Sequence, residues 1–155
     1  MPQRKRPLWK CPKCGHRFVT RNMWHSCRRS SRISSHFRRR PAEFREIFDR
    51  FRVLMRGHGP VTVYARASVI VFQVRVRFAG VRVRQRWVEV GLWLERRVRH
   101  PCLARVMSLR ALGSHGYGHF FHFTSVNQLD PAFARLVREA YAVGAQESPL
   151  PRAGA

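Results

Sequence analysis

Between Trp9 and Cys27 the chain reads WKCPKCGHRFVTRNMWHSC, and this stretch sets the tightest limit on what the front of the chain can fold into. Three of the four cysteines (Cys11, Cys14 and Cys27) fall here, together with His16 and His25. Pro12 and Lys13 separate Cys11 from Cys14, and Gly15 follows. That spacing lets two thiolates converge on one ion, and the glycine permits the tight backbone that aims amides at the sulfurs. His25 and Cys27 are separated by a single residue, which places both on one face of an extended segment. The pattern C-x2-C-x10-H-x-C predicts a tetrahedral site made by Cys11, Cys14, His25 and Cys27. His16 and His36 compete for the fourth position.

Residues 1–40 hold too little apolar surface to order themselves without a staple. One structural Zn2+ supplies that staple, contributing on the order of 10 kcal/mol to ordering the segment. The segment is therefore expected to be a zinc-ribbon-like knuckle, with Phe18 and Trp24 as its miniature core. A disulfide is disfavoured, because one thiol would be left over and no secretory leader is evident. No apolar run approaches the ~18 residues of a membrane helix. The expectation is a soluble, cytoplasmic protein that engages no membrane.

Charge narrows the partners. The 155 residues carry 31 Lys and Arg against 8 Asp and Glu, a formal net charge of +23. Such a charge is self-repelling in the folded state unless a polyanion relieves it. All the cations except Lys5, Lys10 and Lys13 are arginine, whose planar fork suits phosphate and flat rings. The distribution is uneven, since the first acidic residue is Glu43. A boundary is expected between Cys27 and Pro41, giving a basic knuckle over 1–40, a folded domain over 41–146 and a frayed tail over 147–155.

The second module opens with a helical stripe at Phe44, Ile47, Phe48, Phe51, Leu54 and Met55. Pro41 suits its start, Glu43 and Glu46 the positive end of its dipole, and Gly57 its end. Alternation then predicts strands: Val61–Arg66, a strand from Ile70 to a hairpin tip at Arg82–Arg86, a third through Val88–Leu94, and a fourth over Gly118–Ser125 after a linker around Pro101. Asp130-Pro131 opens a last helix whose apolar stripe is Phe133, Leu136, Val137, Ala140 and Tyr141. The expected fold class is α+β: a two-layer sandwich of a four-stranded antiparallel meander with N- and C-terminal helices.

The run from Phe72 to Pro101, with HGYGHFFHFTS and REAY up to Tyr141, resembles an uncharacterised bacterial domain-of-unknown-function family. Similar members carry a CPxCG…WHSC segment in front. The layout resembles frataxin-like and iron-chaperone-like α+β domains. This resemblance implies a fold but no established activity. The acidic iron-holding surface of the frataxin kind has no counterpart in so basic a chain.

Three groups of residues are candidates for function. Arg4, Lys5, Arg6, Lys10, Lys13, Arg17, Arg21, Arg28, Arg29, Arg32 and Arg38–Arg40 are candidate phosphate contacts. Gln73, Arg75, Arg77, Trp87, Trp93, Phe120 and His122 are expected on one sheet face, where cations track phosphates and rings stack bases. Alternatively the knuckle covers that face and the tryptophans form a second core. His115, His119 and His122 do not all share one face, and His119 is expected to point inward. No paired-carboxylate motif, Gly-rich phosphate loop or nucleophile elbow is present. The leading expectation is a non-catalytic nucleic-acid-binding protein, DNA or RNA, with weak sequence preference. The competing one is a protein–protein or small-molecule binding module with an aromatic pocket. A small hydrolase using His115 or His119 is a third.

Overall fold

The computed structural model describes residues 5–25, 27, 32–113 and 115–147. The candidate contacts Arg4, Arg28 and Arg29, and residues 148–155 of the expected tail, lie outside the described residues.

The knuckle contains a two-stranded sheet, β1 (Trp9–Lys10) paired antiparallel with β2 (Arg17–Phe18). A 3-10 turn, Ile33–Phe37, leads into helix α1 (Ala42–Arg56). The helix begins straight after Pro41 and ends at Gly57, and buries Phe44, Ile47, Phe48, Phe51 and Met55. Six strands follow: β3 (Thr62–Ala65), β4 (Ile70–Gln73), β5 (Arg77–Val83), β6 (Val88–Leu94), β7 (Leu103–Ser108) and β8 (Tyr117–Phe123). They form one antiparallel sheet in the order β3-β4-β5-β6-β8-β7. Helix α2 (Pro131–Gly144) closes the domain, capped by the Asp130 carboxylate, which accepts from the Phe133 amide at 2.8 Å. That amide and the His100 ring hold the Asp130 carboxyl below its ordinary range.

Both helices pack on one face of the sheet. Between the layers, Phe51 meets Phe72 edge-on at 5.0 Å, and Phe133 meets Phe121 and Phe123 at 5.1 and 4.8 Å. The fold class is thus α+β in two layers, but with six strands where four were expected. One correction lies at Val74–Val76, where the chain turns instead of running on from Ile70 to Arg82. Gly144 accepts from the amides of Arg75 and Val76 at 2.8 and 3.1 Å, so the end of α2 satisfies the turn. The other is β7, expected to be linker, which pairs with β8 alone and lies at the sheet edge.

Gly144 also has no room for a side chain, because a Cβ there would run into the Phe78 ring. Gly144→Ala is expected to destabilise the domain by about 1–3 kcal/mol through overpacking. The check is a lower urea midpoint at unchanged m-value.

Candidate metal centre and the face it rests on

Turn, hairpin and extended segment bring four donor atoms together at the front of the chain. The sulfurs of Cys11, Cys14 and Cys27 and a ring nitrogen of His25 all lie within 4.8 Å of one another. Cys11 Sγ is 3.8 Å from Cys27 Sγ, and His25 Nε2 is 3.2 Å from Cys14 Sγ and 3.4 Å from Cys27 Sγ. A tetrahedral ion with bonds of about 2.3 Å to sulfur and 2.0–2.1 Å to nitrogen requires edges of about 3.8 Å between sulfurs and about 3.5 Å from sulfur to nitrogen. The three edges given match such a site, so the quartet could hold a metal ion.

Local structure explains the convergence. The β1–β2 pairing closes the Cys11–Gly15 turn, in which the Cys11 amide bonds to His16 O at 2.8 Å and the Gly15 amide to Cys11 O at 2.9 Å. Gly15 takes a left-handed φ of 75°, which a side chain would strain. Amides of Cys14 and Lys13 point at Cys11 and hold its thiol down to about 6, against the opposing effect of burial. Desolvation of the sulfur, and then the neighbouring thiols, push Cys27 up to about 11. A divalent cation held by these sulfurs would favour the Cys27 thiolate, and its uptake at neutral pH would release protons.

His25 is oriented from behind. Its Nδ1–H donates to Met23 O at 2.6 Å, which fixes the tautomer and turns Nε2 toward the sulfurs. Of the two competing histidines, His16 stands outside the quartet with Nδ1 3.6 Å from Cys14 Sγ, and His36 lies in the 3-10 turn. The expected miniature core needs correction. Phe18 is buried, but its partners are Trp9 at 6.2 Å and the His25 ring at 4.5 Å. Trp24 is 92% exposed. Pairing of Trp9 with Phe18 across β1–β2 fills the space that Trp24 was expected to take.

The knuckle sits on the sheet. The His16 ring meets the Tyr64 ring edge-on at 4.4 Å, and Gln73 Nε2 donates to Arg17 O at 2.5 Å. Tyr64 and Gln73 alternate with Val63 and Phe72, which pack on the helix side, so the knuckle occupies the outer face near the β3–β4 edge. Gln73 is only 4% exposed beneath it, and its Oε1 accepts from the Tyr64 hydroxyl at 3.2 Å. Arg75 and Arg77 are part of the same junction. Arg75 donates to Arg6 O at 2.7 Å, and the Arg77 guanidinium lies 5.8 Å from the Phe18 ring centre. Lys5 Nζ donates to Ala145 O at 2.7 Å, at the end of α2.

Residues 33–144 match the family described as Domain of unknown function (DUF5655). The chain belongs to this family. Its span runs from the 3-10 turn to the end of α2, so the DUF5655 domain is the six-stranded sheet with its helices, and the knuckle precedes it. No curated protein and no solved structure matches the chain.

Beyond the knuckle, the outer face of the DUF5655 domain carries aromatic and cationic groups on β6, β8 and β7. Trp87 stacks on His122 at 4.5 Å and 17°, and Glu89 accepts from His122 Nε2 at 3.1 Å. Phe120 lies across Gly91 and Gly118, with the Arg105 guanidinium 4.4 Å from its ring centre. Trp93 is half-buried. Arg105 was not anticipated, because its strand gave no sequence signal; a tally of cations near Phe120 in the sequence could not have found it.

His119 is fully buried on the helix side, where its Nε2 accepts from the Val98 amide at 3.1 Å and its Nδ1–H donates to Tyr117 O at 3.2 Å. Both ring nitrogens are committed to backbone. His115 lies on the surface in the approach to β8. Among the described knuckle cations, Lys10, Lys13, Arg17, Arg21, Arg32, Arg38 and Arg39 are exposed, while Arg40 is half-buried and donates to Arg39 O at 3.4 Å. No helix among the described residues is long and apolar enough to cross a membrane.

Proposed function

We propose that this chain is a non-catalytic, zinc-containing nucleic-acid-binding protein with weak sequence preference. The observation that carries the reading is a knuckle whose four donor atoms lie within 4.8 Å of one another, inside a segment with no acidic residue before Glu43. Three thiolates and one imidazole are a donor set that suits zinc in a closed, structural site. Zinc would hold the exposed Lys10, Lys13, Arg17 and Arg21 in a fixed array, and Arg32, Arg38 and Arg39 extend it toward α1. Among the described residues, no ion pair uses any of these seven. Unpaired cations of this density fit a phosphate backbone, which gives affinity without reading sequence.

Trp87, Phe120, His122 and Arg105 would extend the path along the outer face on which the knuckle rests. The frataxin-like layout is an analogy of architecture alone, and a basic chain offers iron no acidic surface. Reduced thiolates suit a cytoplasmic setting. Elemental analysis of the purified protein, with absorbance at 260 nm recorded on the same sample, tests the reading. The expected result is one zinc per chain and co-purifying polynucleotide that nuclease removes. A metal-free chain with a clean protein spectrum would count against it.

A further inference from the structure

We infer that Trp24 is a stacking platform for an unpaired nucleobase, so that the polynucleotide held by the knuckle is single-stranded. The inference rests on the nucleic-acid reading above and narrows it to one class of partner. Trp24 is 92% exposed, the largest apolar side chain left in water among the described residues, and Met23, next to it in the chain, is 46% exposed. Among the described residues, the cations nearest in sequence, Arg21 and Arg17, are exposed as well. An exposed indole in a segment that carries cations and no acid is complementary to a flat base on a phosphate chain.

Trp24 is also held in place by the metal centre. It lies between His25, a donor of the quartet, and Met23, whose carbonyl orients the His25 ring at 2.6 Å. Asn22, at a left-handed φ of 57°, turns the chain just before this pair. The backbone on both sides of the indole is therefore fixed once the ion is bound, and little ordering cost remains for binding. In a duplex the base faces are already covered by their neighbours, whereas an unpaired base offers a free face to the ring. An anionic lipid surface is the other partner that takes an indole together with arginines.

The test compares wild type, Trp24→Ala and Trp24→Phe on single-stranded and duplex oligonucleotides of equal length, by fluorescence anisotropy at low salt. Trp24→Ala is expected to weaken single-strand binding about 5- to 150-fold, the equivalent of about 1–3 kcal/mol per stacked base. Duplex affinity, salt slope and zinc content stay unchanged, and Trp24→Phe restores most of the single-strand affinity. An unchanged single-strand affinity in Trp24→Ala overturns the stacking role while leaving the knuckle's phosphate binding intact. Failure of wild type to bind either oligonucleotide overturns both readings. Phosphatidylserine-containing vesicles (about 30% of the lipid) complete the comparison. Trp24-dependent partitioning onto them, with no preference for single strands, overturns the inference in favour of a lipid surface.

Discussion

Cys14→Ser, or removal of the metal by a chelator, is expected to unfold residues 5–27 while residues 33–144 stay folded. Within the knuckle the described ring contacts join Trp9, His16, Phe18 and His25, too few to order the segment alone. A bound zinc ion would contribute on the order of 10 kcal/mol to that ordering, which the remaining contacts could not replace. The amides of Cys11 and Gly15, hydrogen-bonded at 2.8 and 2.9 Å in the wild type, should lose protection in hydrogen exchange. Trypsin should cut after Lys13, Arg17 and Arg21 well before it cuts the sheet. Gln73 and Tyr64, covered by the knuckle, then meet water with polar groups able to use it, so the DUF5655 domain survives. Protected Cys11 and Gly15 amides in the chelated protein would contradict this account.

His119→Leu is expected to be the most damaging single change in the sheet. The leucine removes the acceptor for the Val98 amide and the donor for Tyr117 O at a fully buried site. Two orphaned backbone groups cost about 2–5 kcal/mol together. A urea melt of the variant checks the loss, and a midpoint unchanged from wild type would refute the role. Burial lowers the His119 pKa from its ordinary value of 6.5. The folded state then binds fewer protons than the unfolded one, so this contribution is complete above about pH 6.5 and declines as the pH falls below it. The slope should flatten in His119→Leu; His58, also lowered by burial, leaves a remainder.

Local chemistry made parts of this molecule legible in the sequence. Pro41 and the stripe from Phe44 to Met55 mark α1, and Asp130-Pro131 marks α2, because caps and helical periodicity lie within a few residues of one another. The quartet was legible for the same reason, since thiolate spacing encodes convergence. Features set by distant partners were not. The Val74–Val76 turn lacks glycine and proline because the carbonyl of Gly144 satisfies it. Strand β7 alternates poorly, being an exposed edge with one neighbour. Trp9 stands against Phe18 where Trp24 was expected, because the register of two-residue strands decides which ring meets Phe18. Arg75 and Arg77, expected on an open face, are drawn to the junction by a carbonyl and a ring from the knuckle.

The most direct trial is polynucleotide affinity as a function of salt, measured on zinc-loaded and on chelated protein. With seven cations of the knuckle region on phosphates, log K against log salt should fall with a slope of roughly −5 to −6. Chelation should weaken binding and make the slope shallower, and added zinc should restore both. Affinity that ignores salt, or that is the same with and without the metal, would contradict the claim that a metal-stapled cationic knuckle holds the polyanion.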